Sequence, residues 1–118
     1  MAKDPRNGDR TTTGEPRFRP PAPSEVTDLP AARAAIDTID AALADLLARR
    51  TEMAGVVQRL KPVGGFAGRD PERERQIVAA MAERAPALGP ERLSRIMNVV
   101  IEAGLEVAEE ARRAAPER

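Results

Sequence analysis

The chain has no cysteine, no histidine, no tryptophan and no tyrosine. Without cysteine there is no disulfide, no thiolate nucleophile and no Cys-based metal site. Without histidine the commonest general base and the commonest metal ligand are gone. Two phenylalanines are the whole aromatic content, too few for a platform on which bases could stack. Charge of one sign is not in excess either. Lys and Arg number 19, as do Asp and Glu, so the formal net charge is zero. A general nucleic-acid binder would carry a large basic surplus. No apolar run approaches the ~20 residues of a membrane span, and there is no signal-peptide core. These absences predict a soluble cytoplasmic protein with no nucleic-acid or membrane partner. If it is an enzyme, it must work with Arg, Lys, Asp and Glu.

What is present fits one domain in 118 residues. Residues 1–26 are rich in Pro, Gly, Thr and Arg, with five basic and four acidic side chains. They hold almost no large apolar residue to offset the entropy of ordering, and read as a disordered tail. From Thr27 the character changes. Asp28 can cap a helix and Pro30 suits its first turn. Ile36, Ile39, Leu43, Leu46, Met53, Val57 and Leu60 then recur in steps of three and four or their multiples, an amphipathic helix ending near Lys61. Pro62 and Gly64-Gly65 close it, and a loop runs to Arg69. Asp70-Pro71-Glu72 starts a second helix bearing Ile77, Val78 and Met81, which ends near Ala85 or Pro86. Gly89-Pro90-Glu91 starts a third, striped by Leu93, Ile96, Met97, Val100, Ile101, Leu105 and Val107 and ending in the charged stretch to Arg113. The expected fold is all-α, one long helix and two shorter ones over residues 27–113, with residues 114–118 as a flexible end.

The first helix would rise roughly 48 Å. A compact domain of this size is only about 30 Å across. The overhang would leave Leu43, Leu46 and Val57 in water, so a partner subunit is expected to cover them through a self-complementary interface. Two such chains make an intertwined six-helix homodimer.

One position of the apolar stripe is charged. Arg50 and Lys61 are eleven residues apart, within ~20° on the helix and ~16 Å along it. Two cations on one face, bracketing a gap, form a clamp for an anion. Any one such residue could equally be a solvated surface charge with its stem on apolar groups. Arg50, however, sits in a core stripe, and a buried guanidinium without an anion is costly. Either Glu74 or a ligand should lie against it. Arg33, roughly 42 Å of helix from Lys61, cannot serve a site at Lys61 in its own chain. In an antiparallel dimer it could serve the partner's. Arg73 and Glu74 lie one turn ahead of Ile77, with Asp70 at the cap.

The stretches "ARAAIDTIDAALADLLARRTEMAGVVQRLK", "GRDPERERQIV" and "IMNVVIEAGLEVAEE" resemble the AroQ-class, all-helical chorismate mutases, over Leu29–Glu110. The resemblance implies a homodimer with two sites that rearranges chorismate to prephenate on the way to Phe and Tyr, with no metal, cofactor or covalent intermediate. It implies that Arg33 of the partner chain and Arg50 grip the substrate's two carboxylates, as planar forks do. Lys61 would donate to the ether oxygen, Glu74 would accept from the ring hydroxyl with help from the Asp70 backbone, and Arg73 would fix the loop and the substrate.

The third stretch departs from the family. Gly104 stands at a Ser position, and Ala108 at that of a Gln that gives the ether oxygen a second hydrogen bond. Either Lys61 works alone, or Glu109, protonated, substitutes, or the substrate differs. The rivals are a mutase or pyruvate-lyase acting on aminodeoxychorismate or isochorismate, and a non-catalytic helical dimer with a decayed site. The family also implies a possible complex with another shikimate-pathway enzyme.

Overall fold

The computed structural model describes residues 18–61 and 68–114. Among them are one 3₁₀ turn, three α-helices and no strand. Helix α1 is Leu29–Leu60, α2 is Pro71–Arg84 and α3 is Gly89–Ala114. The order of one long helix and two shorter ones, with starts and stops within a residue or two, is what the periodicity and the caps predict.

Each helix start has a local cause. The Asp28 carboxylate accepts from the Ala31 N–H at 2.8 Å, and Pro30 has no N–H to leave unmatched in the first turn of α1. The Asp70 carboxylate accepts from the Arg73 N–H at 3.1 Å. Pro71 follows it, and Glu72 and Glu74 favour the positive end of α2. Between α2 and α3 the chain passes through Gly89 at φ 77°, a conformation in which a Cβ would be strained. Arg112 and Arg113 complement the negative end of α3.

The contacts divide the chain into two compact units, meeting within α1 between Ala44 and Asp45. The described part of the first holds the N-terminal part of α1 and a 3₁₀ turn over Pro23–Glu25. That turn lies in the stretch expected to be a tail. It forms because the Glu25 carboxylate accepts from the Ala22 N–H at 2.9 Å. The rest of the expected tail, 1–17, lies outside the described residues, as do 62–67 of the Gly-rich loop and 115–118 at the end. Ile36, Ile39 and Leu43 are 54 %, 41 % and 50 % exposed, so the apolar stripe of this unit faces water in a single chain.

The second unit comprises the rest of α1 with α2 and α3. Helix α2 packs on α3. Leu93 and Met97 are the buried core, joined by Gly104. The last of these marks a close approach: a Cβ added to Gly104 would lie 3.7 Å from the Ala54 Cβ on α1. Leu46, Met53 and Val57 nonetheless remain half exposed or more.

Candidate active site

Within the second unit, α1, α2 and α3 line a pocket of about 330 Å³. Helix α1 contributes Arg50 and Gln58, and Lys61 follows just past its end. Arg50 and Lys61 share a face because eleven residues are close to three full turns. The segment leading into α2 contributes Arg69 and the cap residue Asp70, and the first turn of α2 brings Arg73 and Glu74. Ile77 from α2 and Ile101 and Leu105 from α3 add an apolar wall. Five of the eight residues expected at the site are thus gathered: Arg50, Lys61, Asp70, Arg73 and Glu74.

Among the described lining residues, four cations (Arg50, Lys61, Arg69 and Arg73) face two carboxylates (Asp70 and Glu74), a net charge of +2. A second hollow of about 670 Å³ between α2 and α3 is larger but balanced, with Arg69 and Arg75 against Glu74 and Glu91. Charge therefore marks the smaller pocket as the one suited to an anion.

Glu74 is held by Arg69. Arg69 donates from Nε to Glu74 Oε2 at 2.7 Å and from Nη2 to Glu74 Oε1 at 2.9 Å. The same Nη2 donates to Asn98 Oδ1 at 2.8 Å, tying the start of α2 to α3. The Arg69 hydrogen bond holds the Glu74 carboxyl below the usual carboxylate range; partial burial opposes this and the Arg69 charge assists it. Glu74 is therefore an ionised acceptor at neutral pH. Glu74 is not the partner of Arg50, one of the two options its place in the stripe left open. None of the ion pairs of the described residues involves Arg50. Half-buried and without a carboxylate, its guanidinium is open to an anionic ligand.

The other three expected residues lie elsewhere. Arg33 is exposed on the N-terminal part of α1 and is not among the lining residues. Gly104 is buried toward Ala54, and Ala108 is half-buried; neither lines the pocket. Glu109 does not line it either. Arg112 and Arg113 donate to its carboxylate at 2.6 and 3.2 Å. The Arg112 hydrogen bond is the largest cause holding its carboxyl below the usual range. A carboxylate kept ionised cannot donate, so Glu109 is unsuited to replace the missing Gln.

Two polar lining residues, Arg69 and Gln58, were not among those expected at the site. Arg69 is adjacent to the Asp70 cap and five residues from Glu74, a spacing with no periodic signal. Gln58 was detectable: it lies one helical turn before Lys61. Among the described residues no group of acidic side chains could hold a metal ion, and no helix is long and apolar enough to cross a membrane.

The sequence profile of the family described as chorismate mutase type II matches residues 32–109. The chain belongs to that family. Its members are isomerases, and the matched span contains every lining residue named above and Arg33 as well. The chain is also 42 % identical over 64 residues to the T-protein of Enterobacter agglomerans. That alignment covers 54 % of this chain and 17 % of the T-protein, so the chain spans only about a sixth of this relative's length. No solved structure matches.

Proposed function

We propose that this chain is a chorismate mutase, converting chorismate to prephenate by an intramolecular Claisen rearrangement. The observation that carries the reading is the pocket with net charge +2 built around the unpaired Arg50. Chorismate is a dianion with an enolpyruvyl ether and a ring hydroxyl. In the reaction the ether C–O bond breaks as a C–C bond forms, electrons shift around one ring of six atoms, and no proton leaves or enters. An active site needs only to hold the reacting ends together and to stabilise the negative charge that grows on the ether oxygen.

The residues divide those tasks. Arg50 grips one carboxylate in a forked contact. Lys61 donates to the ether oxygen. Glu74, ionised and held by Arg69, accepts from the ring hydroxyl, and Arg73 holds the substrate beside it. The second carboxylate takes Arg33 from a partner chain in a homodimer. Two features support that arrangement: Arg33 is absent from the pocket lining, and the apolar stripe of α1 is exposed in a single chain. An isologous dimer would cover the stripe and complete two sites together.

The test is to mix the purified protein with chorismate and identify the product. Prephenate supports the reading. Release of pyruvate would assign a lyase, and unconsumed chorismate would overturn the activity.

A further inference from the structure

Arg69 and Glu74 line both hollows, so their ion pair stands in the wall between them. Asn98 lines the second hollow and not the candidate active site. It reaches the site through Arg69, whose Nη2 donates to Asn98 Oδ1 at 2.8 Å. The same Nη2 donates to Glu74 Oε1, and Nε donates to Glu74 Oε2. Both hydrogens of Nη2 are thereby used, one on each partner. Arg69 offers only donors, so the Asn98 amide must turn its oxygen to it.

Arg69 is the member of this chain that needs holding. It precedes α2 and belongs to no helix. The Arg69 and Glu74 side chains are 36 % and 22 % exposed. An ion pair so open to water is costly in side-chain entropy to keep in one geometry, and alone it is worth little. A third hydrogen bond to a fixed point changes that. Asn98 is such a point, because it lies in the interior of α3 beside the buried Met97. Glu102, one turn further along α3, also favours the Arg69 cation by its charge. Contacts on two elements then leave the guanidinium little freedom, and the carboxylate in its fork shares that restraint.

We infer that Asn98 is a positioning residue: from outside the pocket it fixes Arg69, and through Arg69 it aims the Glu74 carboxylate at the ring hydroxyl of the substrate. The inference rests on the chorismate mutase reading above. The reaction moves no proton, so Glu74 serves by where it stands, and what fixes its place bears directly on the rate.

The experiment compares wild type, Asn98→Ala and Asn98→Asp, with Asn98→Ala made also in an Arg69→Ala background. Asn98 is exposed and alanine is the better helix former, so Asn98→Ala keeps the fold. Asn98→Ala should lower kcat/KM for chorismate about tenfold, inside the ~10²-fold that a misplaced group can cost. Asn98→Asp keeps an oxygen facing Arg69 and should stay close to wild type at neutral pH. In the Arg69→Ala background Asn98→Ala should cost nothing further, because Asn98 acts through Arg69. A merely structural role would carry its cost into that background.

An NMR titration of the Glu74 carboxyl carbon reads the same link without substrate. Asn98→Ala should raise the depressed Glu74 value toward the ordinary 4.5, and Arg69→Ala should raise it further. Asn98→Ala alters no charge around Glu74. Arg50 and Lys61 on the α1 side, Asp70, Arg73 and Arg75 on that of α2, and Glu91 and Glu102 on α3 all stay. The shift therefore reports the placement of Arg69. A Glu74 titration unmoved by Asn98→Ala overturns the inference whatever the activity, as does an equal loss of kcat/KM with and without Arg69. A wild type inert toward chorismate overturns instead the reading on which the inference rests, and that is seen before any variant is made.

Discussion

Replacing Gly104 by Ala should stabilise the protein, and the structure sets the size of the effect. Gly104 lies in the interior of α3 (Gly89–Ala114) and is buried. Glycine inside a helix costs about 0.5–1 kcal/mol relative to alanine, because the unfolded chain loses more freedom on folding. The added methyl would meet the Ala54 Cβ at 3.7 Å, an ordinary contact. Burying one such carbon adds up to about 0.8 kcal/mol. The expected gain is about 1–1.5 kcal/mol. For a helical domain of this size each kcal/mol raises Tm by about 4–8 °C. Thermal and urea unfolding followed by circular dichroism measure it, at equal protein concentrations so that any association acts alike on both proteins. A lower Tm in Gly104→Ala would refute the reasoning. It would mean that α1 and α3 approach more closely than a methyl allows, and that the glycine is there for space.

Lys61→Ala should lower kcat by at least about 10³, the upper end for one donor to a growing oxyanion; an unchanged rate would end the mechanism. Arg33→Ala and Lys61→Ala, each inactive, should complement when mixed. Random exchange makes about half the dimers mixed, each with one intact site, so about a quarter of wild-type activity should return. No recovery after subunit exchange refutes a shared site. Arg69→Ala should move the acid limb of kcat/KM to higher pH, since Arg69 is the largest cause lowering the Glu74 carboxyl. The sign for stability follows from the same depression. The Glu74 contribution is fully present above its ordinary value of 4.5 and is lost as pH falls through the lower folded value. Acid unfolding of Arg69→Ala should therefore depend less steeply on pH than that of wild type below about pH 4.5. A limb in the same place for both proteins contradicts the role given to Arg69.

The helices and their ends were legible in the residues alone. A stripe at steps of three and four, an Asp-Pro start and a Gly-Pro turn are local signals, and local chemistry decides them: a carboxylate reaches a backbone N–H three residues on, whatever lies beyond. Arg50 and Lys61 were legible for the same reason, since one helix fixes their shared face. What tertiary structure decided is everything that depends on two elements meeting. In the sequence Arg69 marks only the end of a loop; in the structure α3 brings Asn98 against it and the turn into α2 sets Glu74 in its fork. Helix periodicity put Gly104 on the seam of α3, and only the packing shows what it meets there: Ala54 of α1, itself a lining residue of the pocket. Gln58 was visible one turn from Lys61, yet its orphaned oxygen exists only in the packed structure. Periodicity fixes which side of a helix a residue occupies, but the neighbour on that side is set by long-range packing, which one helix cannot encode by itself.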